Sequence, residues 1–536
     1  MKSRRQRVAG RTAAESAPAD VPRLSWVLCG LAMVLAALPY LGSLGNAFAY
    51  DDLVTIVGNQ SIRPPVAWRF VFAYALFRPV VNVSYALDAI FWGPGPFGFH
   101  LTNLVLHVAN TGLLFLLAWA VVLDRARARA TLPQPRWAAL TAMLFAVHPL
   151  QTEAVAYASA RSELLCGFFT LLSLLAFRRA ASVRRRWLWP AYLAMLLGLA
   201  CKEIAAMVPL LAWGYDRLFL PEGPGARRRQ LSVYLPPLVL IAILGGVRLS
   251  IYFGREASGA SASVVSNLLL QIKVLWHYLA LLIFPAGQSV IHEFREVDSV
   301  FEPGVLAAMA GLVALLFVAW RVRRRAPQVS FGIVWFLLVL LPSSSLVPMA
   351  EPMAEHRVYL ASVGFFFAVA GLAASIGAKF PRVAAVAAAV VIVILAAATV
   401  ARTQVWKDPV TLWSDAAVKA PHTFAAHYAL ADALREKGDC KTAIPEYQQA
   451  LQRVIDRPDG WTNLGICLAE TGSLAEAEAA FQQALALDPK RAGLHFNLGM
   501  VARLRGDSAA AHQHFLDAVK LDPGHQGAQN ALSAGY

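Results

Sequence analysis

From Leu24 to Val400 the chain is a succession of apolar runs long enough to cross a bilayer, separated by short arginine-rich blocks. Nothing else in it constrains the fold as strongly. Inside lipid every backbone polar group has to be bonded within the chain, so such runs are expected as helices. With 58% hydrophobic and 15% charged residues, the composition excludes an ordinary soluble enzyme. The formal net charge of +15 invites a nucleic-acid reading. The arginines, however, lie in blocks between apolar runs, where the positive-inside rule accounts for them. No nucleic-acid partner is expected.

The basic tail 1–23 precedes the first run, Leu24–Leu44, and no cleavage site follows, so this segment reads as a retained signal anchor. Orientation follows from the blocks Arg4/Arg5/Arg7, Arg125/Arg127/Arg129, Arg178/Arg179/Arg184–Arg186, Arg227–Arg229, Arg321/Arg323–Arg325 and Lys379/Arg382. With all of them cytoplasmic, spans near 24–44, 99–122, 136–149, 152–177, 186–201, 203–220 and 232–252 alternate correctly. Spans near 304–320, 330–348, 358–378 and 383–401 complete about eleven crossings, N-terminus inside and C-terminus outside. The segment 267–285 is left out of that count. Gln271, Lys273, Trp276, His277 and Tyr278 make it amphipathic, and it reads as interfacial or re-entrant. The non-cytoplasmic parts are then loop 45–98, the turns at 148–151 and 201–203, and loops 253–303 and 349–357. Within the first loop, Trp68–Trp92 suits short helices lying on the membrane face.

Beyond about Asp408 the composition turns polar and alanine-rich, with a 34-residue period. Gly438, Gly472 and Gly506 mark it, as do Ala443, Ala477 and Ala511, and Tyr447, Phe481 and Phe515. This is the tetratricopeptide pattern: small residues let paired helices approach, glycine allows the turn, and an aromatic plugs the neighbouring helix. The expected organisation is a transmembrane domain at 24–402 and a repeat domain at 403–536. The latter divides into a lead-in half-repeat 408–423, repeats 424–457, 458–491 and 492–525, and a closing helix 526–536. A short concave surface of this kind suits docking of a polypeptide, with a rigid stalk or dimer contact as the alternative. Five cysteines form neither a CxxC nor a zinc spacing, and Cys440 with Cys467 is left as a pair that an oxidising compartment would allow.

Ionisable residues gather at the predicted outer ends. Tyr50-Asp51-Asp52 follows the first span; carboxylates there belong at a water–membrane boundary, since drawing them into lipid is costly. His148 and Glu153 flank another outer turn, and Glu153, Tyr157 and Arg161 at i, i+4 and i+8 would share one helical stripe. Lys202-Glu203 occupies a further turn, and Glu355-His356-Arg357 opens a span. His100, Asn103 and His107 lie on one face of the second span and read as interhelical bonding. Acids and bases together at a lipid–water boundary suit transfer of a group from a lipid phosphate carrier. A carboxylate would take the proton of the attacking hydroxyl, and cations would hold the departing phosphate. Asp51 or Asp52 fits the first role, with Asp52 slightly preferred. Arg357, His356, Lys202 and Arg161 fit the second. No glycine-rich phosphate loop points to a soluble nucleotide donor. No cofactor is indicated, and two adjacent carboxylates alone make a poor divalent-metal site.

Several ordered blocks carry a resemblance. They are Tyr50-Asp51-Asp52 through Asn59, Arg78-Pro79-Val80, Phe99-His100-Leu101-Thr102-Asn103 with His107, and Val147-His148-Pro149 with Glu153-Ala154-Val155. Arg161-Ser162-Glu163-Leu164-Leu165-Cys166, Cys201-Lys202-Glu203, Leu341-Pro342-Ser343-Ser344 and Glu355-His356-Arg357-Val358-Tyr359-Leu360 follow. With the trailing repeats, the chain resembles the transmembrane and tetratricopeptide-repeat-containing O-mannosyltransferases and their bacterial relatives. The resemblance implies an all-α GT-C membrane glycosyltransferase, inverting and metal-independent, moving a sugar such as mannose from a polyprenyl-phosphate donor to protein Ser/Thr hydroxyls. It also implies an acid in the first outer loop, matching Asp51-Asp52. From their clustering at the outer ends, Arg357, His356, Glu355, Lys202, Glu203, Arg161, Glu153, His148 and Arg78 are expected around the donor. Animal members carry a longer repeat array, so the acceptor and the sugar stay open. The short array and arginine-rich loops suit a bacterial member with its repeats in the periplasm. Two other functions compete: a non-enzymatic membrane scaffold that recruits clients through its repeats, and a transporter of lipid-linked sugars.

Overall fold

The computed structural model describes residues 23–129, 134–220, 226–251, 264–342 and 351–534. The Arg4/Arg5/Arg7 block and Ser343–Ser344 lie outside them. Among the described residues the chain is entirely helical, with no strand. Among the described residues eight helices are long and apolar enough to span a membrane: Arg23–Gly45, Pro96–Ala128, Ala158–Ser182, Arg227–Val247, Val264–Ile283, Pro303–Val322, Glu355–Gly377 and Pro381–Val405. Arg136–Val147 and Pro327–Leu340 are shorter apolar helices. The segments expected to cross at 186–201 and 203–220 form twelve-residue helices, Leu188–Leu199 and Val208–Phe219, too short to span unaided.

Val264–Ile283 departs from expectation by being one unbroken helix of spanning length. Its neighbours argue against a separate crossing. Lys273 meets Glu302 at 3.8 Å, and Trp276 Nε1 donates to the Ala308 carbonyl at 2.9 Å, so helix Pro303–Val322 runs alongside in the same direction. Ser266 Oγ donates to the Val297 carbonyl at 2.6 Å, which brings the non-helical strap 284–302 back along the first helix. Two consecutive crossings in one direction would force that irregular strap through the bilayer, where exposed backbone is not tolerated. A helix packed along a span in this way does not lie flat in the interface. Of the two expected placements the re-entrant one fits, with the strap returning along protein and not through lipid.

The tightest packing joins Pro327–Leu340 to Tyr359–Gly377. A Cβ on Gly332 would lie 2.3 Å from the Gly364 carbonyl oxygen, and one on Gly364 would lie 2.4 Å from that of Gly332. Small residues here let two backbones meet, the usual device of helices that have no hydrophobic drive to pair in lipid. Trp335 Nε1 adds a 2.8 Å bond to the Leu360 carbonyl.

One end of the bundle gathers the arginine blocks. Arg178 grips Asp124 through Nε at 2.7 Å and NH2 at 2.6 Å, and Tyr215 donates to the same carboxylate at 2.8 Å. Arg229 and Tyr234 hold Asp216 at 2.6 and 3.2 Å. Arg125 bonds Gln328 at the same end. These links draw the blocks around Arg125, Arg178 and Arg229, far apart in sequence, to one end of the bundle.

The chain then enters helical pairs: Phe424–Glu436 with Cys440–Arg453, Pro458–Glu470 with Leu474–Leu487, and Ala492–Leu504 with Ser508–Leu521. Pro409–Lys419 leads in and Gln526–Ser533 closes. Gly438, Gly472 and Gly506 turn each pair with φ near +84°, a conformation open to glycine. Phe481 and Phe515 press on Gly465 and Gly499, where a Cβ would come within 2.7 and 2.6 Å of the ring. Cys440 and Cys467 are joined as a disulfide across a Cα–Cα distance of 4.9 Å. Such bonds persist in oxidising compartments.

Candidate active site

The first span ends in a 3₁₀ segment, Leu38–Gly45, and the chain then turns sharply at Tyr50, whose φ of 58° is the only positive value at a described non-glycine residue. Backbone strain of this kind persists only where the surroundings over-determine it. Here they do. The Tyr50 ring packs on Trp413 at 5.4 Å and on Tyr157 at 5.7 Å, and its hydroxyl donates to Glu351. Burial and the Glu351 charge push the Tyr50 hydroxyl well above the usual phenol range, and burial raises the Glu351 carboxyl.

The turn separates the two aspartates. Asp52 is 1% exposed, and both its oxygens are taken: Oδ1 accepts from Ser159 N at 2.7 Å and Ser159 Oγ at 2.6 Å, Oδ2 from Ala49 N at 3.2 Å. Burial lifts its pKa to about 6 against these bonds, which pull it down. Asp51 is exposed on the outer side of the turn. With Asp52 committed to three donors, the two carboxylates do not form a chelating pair.

Ser159 belongs to a break that the spacing argument missed. Glu153, Tyr157 and Arg161 do not share a stripe, because helix Thr152–Ala156 ends at an extended Tyr157 and a 3₁₀ turn, Ala158–Ala160, precedes the next helix at Arg161. The freed carbonyls have a partner: Asn103 Nδ2 reaches the carbonyl of Tyr157 at 3.0 Å and those of Val155 and Ala158 at 3.5 and 3.4 Å. The break thereby turns the Ser159 amide toward Asp52.

Arg161 is withdrawn from the site. It is 0% exposed, pairs with Asp88, donates to Asn103 Oδ1 at 2.8 Å and the Phe99 carbonyl at 2.7 Å, and lies 4.8 Å from the Tyr85 ring centre. A guanidinium so saturated braces the helix Pro79–Trp92 against the bundle and has little left for a phosphate. His148 is likewise spent, with Nε2 3.1 Å from the Leu282 carbonyl and Nδ1 accepting from Leu150 N at 3.2 Å. His107, between Tyr359 and the Ala146 carbonyl, ties helices together.

Glu355 anchors the strap, accepting from Ser289 N at 2.7 Å, Gln288 Nε2 at 2.9 Å and His292 Nε2 at 3.0 Å. Glu153 accepts from the Glu355 amide at 3.1 Å and faces His356 Nδ1 at 2.5 Å. Arg402, which the sequence did not single out, lies close enough to act on both carboxylates and bonds Asp415 at 2.7 Å.

Three cations converge beside these acids. Arg78 reaches Glu203 at 3.9 Å, both about half exposed, and Lys202 and Arg357 also act on the Glu203 charge. Lys202 is buried against Glu163. Arg357 sends NH1 to the Glu351 carbonyl at 3.0 Å, and among the described residues it has no carboxylate partner. Arg78 and Arg357 are thus the cations least committed elsewhere. The repeats begin at this same place: Tyr157 stacks on Trp406 at 5.3 Å, Lys407 accepts from Ala47 N at 2.9 Å, and Lys419 donates to the Gln288 carbonyl at 2.6 Å.

Comparison with known proteins agrees with both halves of the chain. The tetratricopeptide repeat family model matches residues 428–492 and 474–526. "Protein O-mannosyl-transferase tmtc2" of Xenopus laevis is 32% identical over 30% of this chain and 20% of its own length. Protein O-mannosyl-transferase F38B6.6 of Caenorhabditis elegans is 23% identical over 78% of this chain and 61% of its own. Human protein O-mannosyl-transferase TMTC1 is 24% identical over 83% and 58%. The chain thus spans at most 61% of the length of these relatives. Among solved structures, YrrB, a tetratricopeptide-repeat protein with an unusual peptide-binding site, is 15% identical with a TM-score of 0.23 over 43% of this chain and 98% of its own. The Cut9–Hcn1 complex scores 0.24 over 90% and 98% at 15% identity. Scores this low carry no argument about the fold. In sequence, and in its repeats, the chain is similar to the TMTC-type protein O-mannosyl-transferases.

Proposed function

We propose that the chain is a membrane glycosyltransferase that moves mannose from a polyprenyl-phosphate carrier to a Ser or Thr hydroxyl on the non-cytoplasmic face. The acidic end of the bundle is where the two substrates meet. The single observation that carries this reading is the division of labour between neighbouring carboxylates: Asp52 is buried and held by three donors and Asp51 is exposed, with Asp51 and Arg357 both acting on Glu351 and Arg78 reaching Glu203.

Asp51 is the base in this reading, which reverses the slight sequence-based preference for Asp52. Asp52 is 1% exposed with three of its roughly four acceptor sites taken, whereas Asp51 is open to a substrate. As the hydroxyl oxygen attacks the anomeric carbon, its proton passes to Asp51 and the carbon–oxygen bond to the phosphate breaks with inversion. The electron pair leaves on the phosphate, whose growing charge Arg357 and Arg78 hold. Asp52 positions the loop through Ser159. The repeats, seated against Tyr50 and the strap, present the acceptor polypeptide.

The test uses the full chain in lipid nanodiscs, with labelled mannosyl-phosphoryl-polyprenol and a Ser/Thr-rich peptide. The wild type should label the peptide and Asp51→Asn should not, while both elute and melt alike. Undiminished labelling by Asp51→Asn would remove the assignment. Failure of the wild type with every polyprenyl-linked sugar would favour the scaffold alternative.

A further inference from the structure

The last helical pair carries a side-chain cluster that neither the transfer reaction nor the repeat pattern explains. His495 lies on helix Ala492–Leu504, and His514 and Asp517 lie on helix Ser508–Leu521, one turn apart on the same face. All three are half-buried, and one ligand atom from each falls within 4.8 Å of the others. The two imidazoles face each other through Nδ1 at 3.4 Å.

That separation is informative. It is long for a hydrogen bond, whose heavy atoms usually stand about 2.7–3.2 Å apart. Two nitrogens bound to one tetrahedral ion at about 2.0–2.1 Å would lie about 3.3–3.4 Å apart. The earlier repeats sharpen the contrast. The matching positions in the first repeat are His427 and Glu446, which meet at 2.6 Å as an ordinary polar pair. In the second they are Trp461 and Ala480, with nothing to bond an ion. Only in the third repeat do two histidines face each other, with a carboxylate beside them. Asp517 Oδ1 also accepts from Gln513 Nε2 at 3.2 Å, which orients the carboxylate and leaves lone pairs on both oxygens.

We propose that His495, His514 and Asp517 bind a late first-row divalent ion of the zinc type. Two neutral imidazoles and one carboxylate suit zinc, cobalt, nickel or copper and disfavour magnesium and calcium, which prefer all-oxygen sites. Three protein ligands leave a fourth position for water. The ion cross-links both helices of the final pair beside the closing helix, where the His525 ring rests on Phe496 at 5.0 Å. It stabilises the end of the array and takes no part in sugar transfer.

The experiment titrates chelator-stripped full-length protein in detergent with Zn²⁺ against a chromophoric competitor, and with Co²⁺ by visible absorption. The wild type, His495→Gln, His514→Gln and Asp517→Asn are compared, with circular dichroism and elution volume confirming the fold. The wild type should bind one more equivalent of Zn²⁺ than either histidine variant and show a ligand-field band with Co²⁺ that both lack. Asp517→Asn, which leaves both rings in place, should weaken binding by at least about tenfold. Excess Mg²⁺ should not compete. Equal stoichiometry and affinity in the wild type and both histidine variants would overturn the proposal. So would a cobalt band that survives His514→Gln.

Discussion

The two ends of the helical body use charge differently. At the arginine end the buried acids are closed off: Asp124 is gripped by Arg178 and Tyr215, Asp216 by Arg229 and Tyr234. At the other end acids sit close to one another, one of them exposed, and Arg357 lacks a carboxylate partner among the described residues. Closed pairs brace structure and offer nothing to a substrate. Charge left partly unmatched at a membrane boundary is costly, and it persists where a substrate completes it. The arginine end therefore reads as scaffold and the acidic end as the reacting end.

That contrast can be broken from either side. The largest expected effect is on Asp51→Asn, where loss of a general base should cut transfer on the order of 10²–10⁴-fold with no change in melting. Asp124→Asn should do the opposite. Breaking a buried pair costs about 3–5 kcal/mol of stability, yet the fraction that stays folded should transfer at the wild-type rate. If Asp124→Asn silences folded protein, the arginine end is not mere scaffold. Arg357→Ala should lower kcat on the order of 10²–10³-fold, as removal of one charge-stabilising donor does elsewhere. An effect confined to KM would make Arg357 a binding group for the ground state only.

The smallest effect concerns pH. Burial raises the Asp52 pKa from 3.8 to about 6, so the folded state favours its protonated form. The stabilisation from that preference is complete below the unfolded value and is lost as pH rises through about 6. Between pH 4 and 7 the wild type should therefore lose on the order of 1–3 kcal/mol relative to Asp52→Asn. Parallel melting curves across that range would show that Asp52 is not buried as described.

How much of this was legible in the sequence depends on regularity. The repeats were readable because each helical pair repeats the same packing at a fixed spacing, and Gly438, Gly472 and Gly506 turn where that period places them. The acidic loop and the cations at outer turns were readable because ionisable residues beside apolar runs are rare. The break at Tyr157 was not. Extending the i, i+4 rule through 153–161 assumed an unbroken helix, and the side chain that stabilises the break, Asn103, lies far away in sequence. The same remoteness hid Ser159 as the partner of Asp52, and Asp88 as the partner that takes Arg161 out of the site. The parallel course of 264–283 and 303–322 was hidden for another reason, since hydropathy records length and composition but not direction.

The most direct test of the central claim is chemical rescue of the two aspartates. Asp51→Ala and Asp52→Ala are assayed for mannosyl transfer in the presence of rising formate, a small carboxylate able to enter the space each mutation opens. Activity should return with formate in Asp51→Ala and stay absent in Asp52→Ala, whose loss unhooks the loop from Ser159. Rescue of Asp52→Ala alone, or an Asp51→Ala protein that needs no rescue, would contradict the account.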